Sequence, residues 1–154
     1  WKQQIIDYQQ SVKNERKTEQ TSLFELTSSH VDSDLIDPFS LKLNPGEFYR
    51  LPELGHQCCI YFVMDLVSNI VLYVGETKQT AKQRWSNHDC KKYIMNYIEL
   101  HRKYQLEVGI RTAFWYDTPQ TRKHRLQLES ELIKKWRSPF NKESWEYWGQ
   151  PFGK

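Results

Sequence analysis

The sequence predicts an α+β domain, a small antiparallel sheet of three strands flanked by helices. Two apolar, β-favouring runs at residues 58–64 and 70–74 sit on either side of a few turn residues. Two stretches, 90–104 and 118–136, repeat apolar groups at helical spacing. A third β-favouring run, 107–116, lies between them. The order from residue 58 onward is β-β-α-α-β-α, preceded by an N-terminal extension over residues 1–55 and carried by a second part over 56–154.

The extension comes first. Residues 1–22 are polar and rich in Gln, Lys and Glu, which reads as an exposed helix or a frayed end. Residues 23–50 mix apolar and turn residues, including Asp37-Pro38 and Asn44-Pro45-Gly46, and carry no recognisable chemistry. The extension is expected to act as a docking arm, a cap over the second part, or a surface for a protein partner or self-association. Trp1 in place of a start methionine reads as a trimmed chain, from which any targeting segment would be gone.

The second part opens on Cys58-Cys59-Ile60-Tyr61-Phe62-Val63-Met64, a continuous apolar strand. Asp65 to Asn69 supply a hairpin loop, and Gly75 ends the returning strand where a backbone can approach closely. Residues 79–88 read as a helix with Thr77 or Thr80 as N-cap. Ile94, Tyr97, Ile98 and His101 mark one face of the next helix. Thr118-Pro119 opens the last long helix, since proline suits a first turn, and Ser138-Pro139 stops it after Trp136.

Composition narrows the function classes. At 154 residues, 38% hydrophobic and 14% aromatic, the chain can bury a real core. No apolar run reaches the roughly 20 residues of a membrane span. The three cysteines, Cys58, Cys59 and Cys90, have no framework spacing and are expected as reduced thiols in a cytoplasmic protein. His56-x-Cys58 and His88-x-Cys90 do not match zinc-knuckle patterns. Net charge is +3, and it is uneven: residues 1–57 hold six basic against nine acidic side chains, residues 58–154 sixteen against ten. The basic half carries the motifs, as expected of a polyanion binder.

Glu129 is the most telling single residue. On a wheel of about 100° per residue started at Leu126, Leu128, Leu132, Trp136 and Ile133 fall between about 200° and 340°, and Glu129 falls inside that apolar stripe at about 300°. Glu131, at about 140°, lies on the polar face. A carboxylate on a core-facing stripe is costly unless it is paired, for instance with Arg122 or Arg125, or binds a cation. Arg84 and His88 are four apart, so a helix presents them together. An arginine fork suits a phosphate, and histidine suits proton transfer near neutrality. Tyr61 and Tyr73 sit on the paired strands and, taken alone, read as core aromatics. Trp145, Tyr147, Trp148 and Phe152 read as a packing cluster rather than a base-stacking platform.

Together, Cys59-Ile60-Tyr61, Tyr73-Val74-Gly75, Arg84, Glu129 and Asn141 resemble the GIY-YIG nuclease family over about residues 57–142. Arg84-Trp85-x-x-His88 is similar to the phage-type homing endonucleases of that family. Glu129-x-x-Leu132-Ile133-Lys134, followed by Pro139-x-Asn141, is similar to its nucleotide-excision-repair members. Cys59 departs from the pattern, where the family usually has a structural glycine. The resemblance implies a metal-dependent DNA endonuclease of bacterial or phage origin. Glu129 would hold a single Mg²⁺ or Mn²⁺, and Arg84 would grip the scissile phosphate. Tyr61, Tyr73 and His88 would orient and deprotonate the attacking water, one tyrosine acting as base, and Asn141 would fix the geometry. The alternative is a non-catalytic nucleic-acid-binding module on the same fold. A Glu-x-Lys nuclease built on Glu131 and Lys134 is disfavoured, because Glu131 faces away from the apolar stripe and the spacing is wrong.

Overall fold

The computed structural model describes residues 1–19, 31–45, 58–77 and 89–153. In chain order these form α1 (Lys2–Glu19), two short 3₁₀ turns, β1 (Leu43–Pro45), β2 (Cys59–Asp65), β3 (Ile70–Thr77), α2 (Asp89–Lys103), β4 (Ile110–Trp115), α3 (Arg122–Trp136) and a single-turn α4 (Trp145–Trp148). The expected helix over 79–88, with Thr80, Arg84 and His88, lies outside the described residues, as does His56.

The α+β fold is as expected, but the sheet has four strands, in the order β1-β4-β2-β3, all antiparallel. The extra strand is β1, whose Leu43-Asn44-Pro45 pairs with β4. It is three residues long and ends in proline, too short for an alternating pattern to reveal.

Every residue of β2 is buried. A strand covered on both faces has no polar side, which explains the continuous apolar run. Cys59, Tyr61 and Val63 face a core with Cys90, Ile94 and Tyr97 of α2, Ile5 of α1 and Phe140. Ile60, Phe62 and Met64 face the second core, with Leu128, Leu132, Ile133 and Trp136 of α3. Each such fully buried side chain contributes about 1.5–3 kcal/mol.

Pairing of β2 with β3 slips between Val63 and Met64: Val63 opposes Tyr73, whereas Met64 opposes Val71. Leu72 is thus an extra residue, a bulge that bends the outer strand. Its carbonyl accepts a hydrogen bond from Phe140 N at 3.0 Å.

Two element starts differ from the sequence expectation. The third run forms β4 only from Ile110, after a loop in which Gly109 N donates to Asp65. Helix α3 begins at Arg122 rather than at Pro119, capped by Thr121, whose side chain accepts from His124 N. The Pro119 and Gln120 carbonyls instead receive the Arg125 guanidinium.

Helix α1 is neither wholly exposed nor frayed over Lys2–Gln9. Ile5 and Gln9 are fully buried, and Tyr8 donates to Lys135 O. Lys2 lies 3.5 Å from Asp65, a buried carboxylate that also accepts from Tyr97 Oη and from Val67 N and Gly109 N. Burial alone would raise the Asp65 pKa. Hydrogen bonds from Gly109, Ser68 and Tyr97, with the Lys2 charge, outweigh it and hold the carboxyl below its ordinary value.

Candidate active site

The candidate site lies along the outer edge of β3, where three elements supply what a further strand would. Gln9 of α1 donates to Val71 O and to Trp136 O and accepts from Val71 N. Asn141 accepts from Val74 N and donates to Val74 O, both at 2.9 Å, while Ser138 donates to its Oδ1. Glu129 accepts from Glu76 N at 2.9 Å. An open strand edge is otherwise a template for unwanted pairing, so this covering also blunts an aggregation hazard.

Glu129 reaches this edge because it rides on the apolar stripe of α3 with Leu128 and Leu132, as the wheel requires. The helix packs on one face of the sheet and delivers the carboxylate to the outer strand. Tyr61 and Tyr73 lie on the opposite face, 4% and 8% exposed, with ring centroids 5.9 Å apart. Glu129 is close enough to influence Tyr73. Burial pushes the Tyr73 phenol well above the ordinary tyrosine value, and Tyr61, Cys90 and Glu129 push it further.

Gly75 stands directly opposite Tyr61 in the β2–β3 register. A Cβ built on Gly75 would come within 2.6 Å of Tyr61 Oη. The glycine is required by close approach, since the Tyr61 ring lies across it. Cys59, one turn of the pleat before Tyr61, is 3% exposed. Burial, with Cys58 and Glu76 adding, raises its thiol pKa to about 12, so it is an inert wall of the core. All three cysteines are free thiols.

Four of the six expected site residues are therefore described. Glu129 and Asn141 bond the backbone of the β3 edge, whereas Tyr61 and Tyr73 pack against each other on the sheet face away from α3. Arg84 and His88 fall on residues 78–88, outside the described residues.

A family model described as the GIY-YIG catalytic domain matches residues 57–144, more than half of the chain. The chain belongs to the GIY-YIG family. No curated protein and no solved structure matches it. A nuclease-type, phosphodiester-hydrolysing function follows at the family level. No described helix is long and apolar enough to cross a membrane.

The GIY-YIG pattern does not cover Glu76 and Arg125. The Arg125 Nε donates to Glu76 Oε1 at 2.8 Å, with the two side chains 4% and 8% exposed. The sequence offers Arg125 as a partner for Glu129; in the structure its ion pair is with Glu76. A signal for it was present: four residues before Glu129, Arg125 falls at about 260° on the same wheel, inside the stripe. Its acidic partner came from a different element, which no local pattern reveals. Glu131, by contrast, accepts from Gln127 on the exposed side of α3, as the wheel requires.

Among the described residues no group of three or more His, Cys, Asp or Glu side chains gathers in metal-binding geometry. The donor set at the β3 edge is the Glu129 carboxylate, with the Glu76 carboxylate taken up by Arg125, beside phenol and backbone oxygens. Such a set suits a hard cation that keeps most of its own water, as Mg²⁺ and Mn²⁺ do, and not a thiolate-bound metal.

Proposed function

We propose that this protein is a metal-dependent DNA endonuclease that hydrolyses phosphodiester bonds at the edge of β3. The observation that carries the reading is Glu129. A carboxylate on the apolar stripe of α3 is held at Glu76 N beside the buried Tyr61–Tyr73 pair.

Glu129 is the residue to hold a single Mg²⁺ or Mn²⁺. When bound, the cation would supply charge stabilisation for the departing oxygen. Arg84, by resemblance, grips the scissile phosphate through its two-pronged fork. His88, Tyr61 and Tyr73 orient the attacking water, and one tyrosine takes its proton. The raised Tyr73 phenol keeps its own proton at neutral pH unless a cation lies close, which suits a hydrogen-bond donor better than a resting base. Asn141 positions Tyr73 from behind by clamping the neighbouring Val74 backbone. The partner is DNA, drawn by the basic excess of residues 58–154.

Cleavage of supercoiled plasmid and of labelled branched and single-stranded DNA, with Mg²⁺ or Mn²⁺, tests the reading. Nicking should vanish with EDTA and with Glu129→Ala. A folded protein that binds DNA but leaves every substrate intact would instead be a non-catalytic binding module. Nicking that survives Glu129→Ala would remove Glu129 from the site.

A further inference from the structure

We infer that the buried Glu76–Arg125 pair is a positioning device for Glu129, with Arg125 as the positioning residue; this rests on the nuclease reading above. Glu76 immediately follows Gly75, one residue before the end of β3, the strand across which the Tyr61 ring lies. Helix α3 grips it twice. Its backbone N–H donates to Glu129 Oε1 at 2.9 Å, and its carboxylate accepts from Arg125 Nε at 2.8 Å. Arg125 and Glu129 are one helical turn apart and share a face. The Arg125 Nη1 also donates to Pro119 O at 3.1 Å and Gln120 O at 2.9 Å. The result is a closed ring of bonds joining the end of β3, the first turn of α3 and the loop before it.

Two physical consequences follow. The ring fixes the end of β3 relative to α3, so that the Glu76 N–H stays aimed at the Glu129 carboxylate. It also neutralises a second carboxylate beside Glu129. Left unpaired, Glu76 would repel the DNA backbone and offer a competing oxygen ligand to any cation held by Glu129. A buried ion pair rarely adds net stability over an apolar pair of the same shape, so stability alone is a weak reason for this one.

The test uses the full chain and three readouts: Mn²⁺ affinity by electron paramagnetic resonance, hydrogen exchange at the Glu76 amide, and kcat against KM for plasmid nicking. Partners that orient a metal ligand are typically worth about 10- to 100-fold in metal affinity. Arg125→Met should weaken Mn²⁺ binding about tenfold or more, speed exchange at the Glu76 amide, and lower kcat with KM for DNA little changed. Arg125→Lys keeps the charge but loses the fork, and should fall between wild type and Arg125→Met in all three. Glu76→Gln keeps an acceptor for Arg125 and should retain amide protection.

A folded Arg125→Met with wild-type Mn²⁺ affinity and wild-type protection at the Glu76 amide overturns the inference. If Arg125→Met does not fold, the same unchanged values in Arg125→Lys overturn it. Failure of the nuclease reading looks different, because the wild type would then nick no substrate, or Glu129→Ala would leave Mn²⁺ binding and nicking unaltered. In that case amide exchange alone decides whether Arg125 positions the Glu76–Glu129 bond.

Discussion

Gly75 and the tyrosines around it show how a single side chain sets the site. The Tyr61 ring fills the space that a Cβ on Gly75 would need. Gly75→Ala should therefore push Tyr61 out of place, at about 1–3 kcal/mol of overpacking and about a hundredfold or more in nicking rate. Calorimetry beside a nicking assay checks both, and wild-type nicking by a folded alanine variant would show that the Tyr61 position is immaterial. Tyr73 makes a pH prediction. Its phenol is raised by burial, so the folded protein keeps a proton that the unfolded chain loses near the ordinary value of about 10. Above that pH the unfolded state binds fewer protons than the folded one, and stability must fall as pH rises. Tyr97, raised by burial and by Asp65, acts in the same direction. Urea unfolding between pH 8 and pH 11, a range spanning the tyrosine value of about 10, should show this decline. Tyr73→Phe should flatten it, and an equal slope in that variant would mean Tyr73 ionises as a normal tyrosine.

At the scale of elements, β3 is an edge strand without an open edge. Gln9 holds both backbone groups of Val71, Phe140 N holds Leu72 O, Asn141 holds both groups of Val74, and Glu129 holds Glu76 N. Each buried group left unsatisfied costs about 1–3 kcal/mol. Gln9→Ala strands the N–H and C=O of Val71 and should destabilise the fold by about 3 kcal/mol, read from the midpoint of urea unfolding. Asn141→Ala should cost a similar amount and also slow nicking, because the freed segment adjoins Tyr73. If Asn141→Ala loses stability but cleaves at the wild-type rate, its role ends at the strand edge. The two long helices and the stripe on α3 were legible because their period survives in local sequence, and the hairpin because its apolar runs are continuous and broken only by turn residues. The strand β1 was not, since three residues of Leu-Asn-Pro carry no period and exist as a strand only through β4.

For the molecule as a whole, α1 is part of the structure that carries the site. Ile5 enters one core, Val12 packs against the other, and Gln9 lies on the β3 edge between them. Lys2 lies 2.8 Å from His101 and pairs with the buried Asp65 at the far end of β2. Deleting residues 1–30 should therefore lower the melting temperature by roughly 10 °C or more, given that 1 kcal/mol moves a domain of this size by several degrees. Melting followed by circular dichroism reads this directly, and an unchanged midpoint would make α1 a passive appendage. In sequence the helix is polar along most of its length, and Ile5, Tyr8 and Val12 make only a thin stripe, interrupted by the buried Gln9. A buried glutamine gives no hydropathy signal. Its partners, Val71 and Trp136, lie more than sixty residues away.

The α+β class, the tyrosine-bearing hairpin, the amphipathic stripe that includes Glu129 and the GIY-YIG pattern could all be read from the amino-acid order alone. Those features follow from local period and from short motifs, which any segment carries with it. What surrounds them came from long-range packing: the fourth strand, the bulge at Leu72, the covering of the β3 edge by Gln9 and Asn141, and the pairing of Arg125 with Glu76. Each of these joins groups from different elements whose hydrogen-bonding needs cannot be met locally. A buried N–H, C=O or carboxylate must find a partner, and the packing of the whole chain selects which one is in reach.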